Sequence, residues 1–231
     1  MLVPHNSASA YSAVLRGGEE VKKRVTNVAL ILKAPRSGEV KTRLGRSIGV
    51  ERATRVYRAL VEHQLAQIPA SWRIAIHFAP ADAEAEMRRW LERLSPQGTD
   101  FMPQPDGDLG VRLISAMDHG FMSGADSVFF LGGDCPGTTR SYLEAAEAAL
   151  ATTDMVIAGA LDGGYVLLGL RKPIAAVFEA IPWSSETVFA ATLGQARAAG
   201  LSYQCLPSLE DIDDLGSYER QRMTLQDLAD C

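Results

Sequence analysis

Seven short apolar runs are distributed along the chain: VTNVALILK, WRIAIHF, DFMPQ, SVFFLGG, DMVIAGA, YVLLGL and LSYQCLP. A strand that is apolar on both sides must be covered on both sides, which points to a mostly parallel sheet between two helical layers. Most segments between the runs supply such helices. From 50 to 68, Val50, Ala53, Val56, Tyr57, Leu60, Val61, Leu65 and Ile68 recur at spacings of three and four, the signature of a helix with one apolar face. YVLLGL follows DMVIAGA too closely for a helical crossover, so these two runs are expected to form one antiparallel pair. The expectation is an α/β three-layer sandwich.

A chain of 231 residues with 47% apolar and 22% charged residues suits one sizeable domain. Residues 1–24 carry Pro, Asn and Ser early, then Gly17-Gly18 and a charged run, and read as a loosely held extension. Residues 25–231 are expected to form the domain. No repeat, low-complexity tract or linker divides them. The formal charge of −5 argues against a general nucleic-acid grip, but a small anion feels only its local site. Cys135, Cys205 and Cys231 have neither metal-knuckle nor redox spacing, and no disulfide framework is expected. No apolar run is long enough for a membrane helix, and MLVPHNSASAYS lacks the parts of a signal peptide. A cytoplasmic protein is expected.

Ligands of open α/β sheets bind beyond the carboxyl ends of the strands, which directs attention to the residues just after each run. After the first comes KAPRSGEVKTRLG, with Lys33, Arg36, Lys41 and Arg43 around a turn through Gly38. Cations and turn amides at a strand's mouth suit phosphate. A solvated basic loop fits the composition equally well, and the segment is neither a Walker loop nor a GxGxxG fingerprint. After SVFFL comes GGDCPG, where Asp134 is either a magnesium ligand or a turn and cap residue. LDGGY is first a tight turn. Its glycines also allow close approach of a substrate, with Asp162 and Tyr165 beside it. PDGDLG places Asp106 and Asp108 either at a ligand or in a structural turn. LEDIDDLGSYE offers Glu210, Asp211, Asp213 and Asp214 to cap a helix or to supply a second metal carboxylate. The four histidines show no ligand spacing, and no GxSxG elbow is present.

Taken in order, KAPRSGEVKTRLG, QPDGDLGVRL, FLGGDCPG, LDGGYVLLGL, IPWSSETVF and LEDIDDL resemble the motifs of the DUF2064 family, a bacterial group also called radical-SAM/selenodomain-associated transferases. The resemblance spans roughly Val28 to Tyr218. It implies a GT-A-like fold of the nucleotide-diphospho-sugar transferase superfamily. It further implies phosphate binding by Arg36, Gly38, Lys41 and Arg43, and a Mg2+ or Mn2+ ion on Asp134 and Asp213. Asp134, Lys41 and Asp162 are the implied catalytic residues. Asp162, Gly163, Gly164, Tyr165 and Trp183 are assigned to the acceptor side. The partners implied are a nucleotide-sugar or NTP and a small-molecule acceptor, with glycosyl transfer as the first reading. Nucleotidyl transfer releasing pyrophosphate and a non-catalytic nucleotide-binding protein are the alternatives. Two segments depart from the family pattern: DIDDLGS stands where DIDTPED is usual, and GGDCP where GTDCP is usual. KAPRSG also replaces the glycine-rich loop typical of many nucleotidyltransferases.

Overall fold

The computed structural model describes residues 24–221; the extension expected over residues 1–24 lies, except for Arg24, outside them. All seven apolar runs form strands: β1 (Thr26–Lys33), β2 (Arg73–Ala79), β3 (Asp100–Pro103), β4 (Ser127–Leu131), β5 (Met155–Ala160), β6 (Tyr165–Leu170) and β7 (Tyr203–Leu209). They make one sheet in the order β3-β2-β1-β4-β6-β5-β7. The inner strands are apolar without alternation because both of their faces are covered, and Val28, Ala29 and Leu30 of β1 are all fully buried.

β1 pairs in parallel with both β2 and β4. The chain therefore builds outward from β1 through β2 to β3, then returns to β1's other edge as β4. The expected antiparallel pair, β5 with β6, is present. β6 is inserted between β4 and β5 and is antiparallel to both. A short turn can return β5 only beside itself, so β6 takes the inner position and β7 joins β5 on the far edge in parallel.

The helices are α1 (Thr42–Ile48), α2 (Val50–Gln67), α3 (Glu84–Leu91), α4 (Leu109–Met122), α5 (Arg140–Leu150) and α6 (Val188–Ala198). On one side of the sheet, Tyr57, Val61, Met87, Leu91 and Leu143 from α2, α3 and α5 join a core with Leu30, Leu32, Ile76 and Phe129. On the other, Leu113, Met117 and Leu193 from α4 and α6 pack with Phe130, Ile157 and Leu168. α2 buries much of the face expected of it, namely Ala53, Tyr57, Leu60, Val61 and Leu65. Val50 is instead exposed, because it opens the helix directly after Gly49. Thr54 and Gln64 are buried in addition. Thr54 can be so because its hydroxyl donates to Val50 O at 2.8 Å, and Gln64 because its amide donates to Thr138 O at 3.3 Å. No described helix is long and apolar enough to cross a membrane.

One buried titratable group faces the α4 layer. His77 of β2 is 2% exposed, and its ring meets that of His119 edge-on at 5.5 Å. Burial, reinforced by the charge His119 acquires on protonation, lowers its pKa to about 4. The unfolded chain titrates near its ordinary 6.5, so between these values the unfolded state binds more protons and stability falls as pH falls. Going from pH 7 to pH 5 should cost about 2 kcal/mol through this group. Denaturant titrations of the parent and of His77→Phe at both pH values check this: the variant should lose markedly less stability than the parent, and an equal loss in both would assign the effect to other groups.

Candidate active site

Parallel strands leaving β1 in opposite directions open a crevice at their carboxyl ends, the position where such sheets bind ligands. Two segments meet there, the loop after β1 and Gly132–Asp134 after β4. Tyr57 of α2 secures the first, since its hydroxyl donates to Lys33 O and accepts from Lys33 N, both at 3.0 Å. The second is secured by Gln64 of α2, to which the Thr138 hydroxyl donates. Gly133 is required by the same packing: a Cβ there would run into Val61 Cγ2 and Leu32 Cδ2.

The loop after β1 ends at Lys41, which caps α1 in the left-handed conformation at φ 45° and ψ 46°. That conformation costs a non-glycine residue about 1–2 kcal/mol, and here it accompanies an inward-turned side chain. Lys41 Nζ donates to Asp134 Oδ2 and to Asp213 Oδ1, each at 3.0 Å, and its side chain is only 4% exposed. Burial pulls the ammonium's pKa down, but the Asp134 and Asp213 carboxylates more than offset this and hold it above its ordinary value. Arg43 approaches Asp213 from outside at 3.4 Å.

The late acidic segment divides by alternation. Ile212 is fully buried among Leu44, Ala53, Leu60 and Tyr218, and its N–H donates to Asp134 O at 3.0 Å. With Ile212 pointing inward, Asp211 and Asp213 turn toward the cleft, where their carboxylates and that of Asp134 bring oxygens within 4.8 Å of one another. Asp214 takes the capping role, accepting from Ser217 N at 2.9 Å ahead of the helix over residues 215–221. Glu210 pairs with Arg220 at 2.9 Å. Of the four acids that LEDIDDLGSYE offers, Asp211 therefore joins Asp213, the one the family resemblance singles out, beside Asp134. Burial, and then the charges of Asp134 and Asp162, push the pKa of Asp211 up to about 6. Three hard carboxylate donors converging on one point suit Mg2+ or Mn2+.

Asp134 stands between two chambers. One is lined by Lys33, Lys41, Arg43, Tyr57, Gly133 and Asp213. The other is lined by Asp162, Gly164, Tyr165 and Asp211 over an apolar floor that includes Leu113 and Phe130. Ile31, Gly132 and Asp134 border both. The expected residues separate accordingly. Lys41 and Arg43 face the first chamber. Arg36 does not line it; its guanidinium bonds Glu86 at 3.1 Å and Asp82 at 3.3 Å, while Gly38 forms the turn at φ 82°. Trp183 stands behind Tyr165, with ring centroids 6.4 Å apart and edge-on. Asp108 caps α4 by accepting from Val111 N at 3.0 Å, and Asp106 is exposed. Cys135 is buried, which pushes its thiol up to about 12 and leaves it a packing residue.

The fold is that of the nucleotide-diphospho-sugar transferases. A protein provisionally described as one, from Desulfovibrio desulfuricans, is 32% identical over 87% of each chain with a TM-score of 0.80. The chain belongs to the DUF2064 family, described as an uncharacterized protein conserved in bacteria, whose match covers residues 63–185. More distant structures share the fold alone. A 4-diphosphocytidyl-2C-methyl-D-erythritol synthase from Anaerococcus prevotii is 12% identical over 87% of this chain and 96% of that one, TM-score 0.58. A cytidylyltransferase from Leptospira borgpetersenii is 11% identical over 88% and 87%, TM-score 0.57. No curated protein matches the sequence.

The DGG turn shows how packing limits the second chamber. Asp162 Oδ1 accepts from Gly164 N at 2.9 Å. Gly163 lies at φ 93°, and a Cβ on it would collide with the Glu186 carbonyl. A Cβ on Gly164 would meet only Asp162 Oδ1 at 3.1 Å, with nothing else closer than 4.0 Å. Gly163→Ala should therefore cost about 2 kcal/mol or more of stability and Gly164→Ala less than about 1. Urea unfolding of both variants measures the difference, and equal small losses would show that the turn tolerates a side chain at either position.

Proposed function

We propose that the protein is a divalent-metal-dependent transferase that uses a nucleotide-diphosphate donor, of the glycosyl-transfer type. The observation that carries this reading is the pairing of a cationic chamber with a three-carboxylate cluster at the switch point of the sheet. The 32% identical relative, itself described provisionally as a nucleotide-diphospho-sugar transferase, supports the same class.

The donor's diphosphate lies against Lys41 and Arg43, which bind its oxygens and neutralise the charge that develops as the bond to the transferred group breaks. Asp134 and Asp213, joined by Asp211, are the residues that would hold the ion. When bound, a divalent ion supplies charge neutralisation of the departing diphosphate. Beyond Asp134, Asp162 and Tyr165 face the transferred group and the acceptor. Among the described residues lining that chamber there is no lysine or arginine, while Asp134, Asp162 and Asp211 all border it. With Asp134 and Asp211 given to the ion, Asp162 is the remaining acid of that chamber, and it would oppose a phosphorylated or carboxylated acceptor, as in nucleotidyl transfer. A hydroxyl acceptor would find hydrogen-bond acceptors instead, which favours glycosyl transfer.

Thermal shifts with UDP, GDP, CDP, ADP and dTDP, each with and without Mg2+ or Mn2+, test the donor class. A true ligand at about 100 times its dissociation constant adds roughly 2.7 kcal/mol. One nucleoside diphosphate should stabilise the protein in a metal-dependent manner, and its nucleotide-sugar should be turned over with release of the diphosphate rather than pyrophosphate. Release of pyrophosphate from an NTP would replace this reading with nucleotidyl transfer. Asp134→Asn should remove the metal-dependent part of the shift because an amide is a poor substitute for a hard anionic oxygen. Arg43→Ala should weaken diphosphate binding by about 1.5–3 kcal/mol. An unchanged metal dependence in Asp134→Asn would eliminate the metal role.

A further inference from the structure

Lys41 and the proposed ion make use of the same oxygens. Lys41 Nζ lies 3.0 Å from Asp134 Oδ2 and 3.0 Å from Asp213 Oδ1, two of the three carboxylates whose oxygens converge. The ammonium is enclosed, with 4% of its side chain exposed, and it is flanked by the two carboxylates that balance its charge. A cation is thus already bound where a cation is expected. Two positive charges cannot both sit against one pair of carboxylate oxygens without strong mutual repulsion.

We propose that Lys41 is a built-in competitor of the divalent ion: its ammonium holds Asp134 and Asp213 while the donor is absent, and it releases them when a diphosphate arrives. This rests on the metal-dependent reading above. Lys41 lines the cationic chamber with Arg43, so a diphosphate placed there offers its ammonium a new anionic partner. Turning to that partner frees Asp134 Oδ2 and Asp213 Oδ1 for the ion. Metal and donor then bind together, and metal alone binds weakly, because the competent arrangement is a minor one until the donor stabilises it. The residue serves two states with one charge.

Manganese alone is the probe. Titration of the nucleotide-free protein with Mn2+, followed by the electron paramagnetic resonance signal of the free ion, reads the affinity directly and needs no catalytic activity. Lys41→Met keeps the length of the side chain and removes the charge, and should bind Mn2+ at least tenfold more tightly than the parent. Lys41→Gln provides a second neutral replacement, and melting curves in a chelator verify that each variant is folded. Lys33→Met removes a charge from the same chamber without touching either carboxylate, and should shift the affinity less than about threefold. If neither neutral variant at position 41 tightens binding, or Lys33→Met tightens it as much, competition is overturned while the metal-dependent donor shift of the parent still stands. If Lys41→Met/Asp134→Asn keeps the tight binding of Lys41→Met, the ion sits elsewhere and both the competition and the proposed metal ligands are overturned.

Discussion

Parallel pairing of β1 with both β2 and β4 is the constraint on which the rest of the structure depends. It requires the chain to leave β1 in one direction and return on the other side, and that reversal opens the crevice at the strands' carboxyl ends. The loop after β1 and the turn after β4 are consequently brought side by side although more than ninety positions separate Lys41 from Asp134. Helix α2 then braces both, holding Lys33 through Tyr57 and the loop beyond Asp134 through Gln64 and Thr138. The site is rigid at its base because its supports belong to the core.

Charge is distributed across this crevice unevenly. On one side Lys41 and Arg43 stand opposite Asp213; on the other, Asp162 and Asp211 border a chamber with an apolar floor. Enclosing Lys41 is tolerable because two carboxylates surround the ammonium, whereas an unpaired buried ammonium would lose its proton or destabilise the fold. The reverse holds at Asp211, whose burial beside like charges makes ionisation harder and raises its pKa to about 6. Burial is the larger cause at Asp211, and the carboxylates around Asp134 add to its shift as they offset the burial of Lys41. A cation added to the cluster would relieve the repulsion at Asp211 and compete with the bond at Lys41.

Asp211 and Asp213 come from a segment that is not a strand of the sheet. Residues 210–213 run beside Asp134, anchored by Ile212 in a small cluster with α1 and α2. The anchor directs an apolar residue inward between two acids, and so sets both of them toward Asp134. The next residue, Asp214, serves the helix and not the cleft, so adjacent acids have unrelated tasks.

The order of the strands' apolar runs, the amphipathic face of α2 and the antiparallel return of YVLLGL were all legible in the sequence, since each depends on hydrophobic period and loop length, which are local properties. The position of the candidate site could be read in the same way, because strand ends are where parallel sheets leave backbone groups and side chains free. Three matters required the tertiary structure. Arg36 shares a loop with Lys41, yet it pairs with Asp82 and Glu86, and no local pattern shows which acid a long side chain will reach. Asp211 and Asp213 differ from Asp214 only through the burial of Ile212 against helices distant in sequence. Lys41 is held by Asp134 and Asp213 because the sheet brings the ends of β1 and β4 together and the 210–213 segment closes over them. Sequence determined which residues were available to bind an anion or a metal; three-dimensional packing decided which of them meet, because electrostatic attraction acts through space and the distances are set by the core.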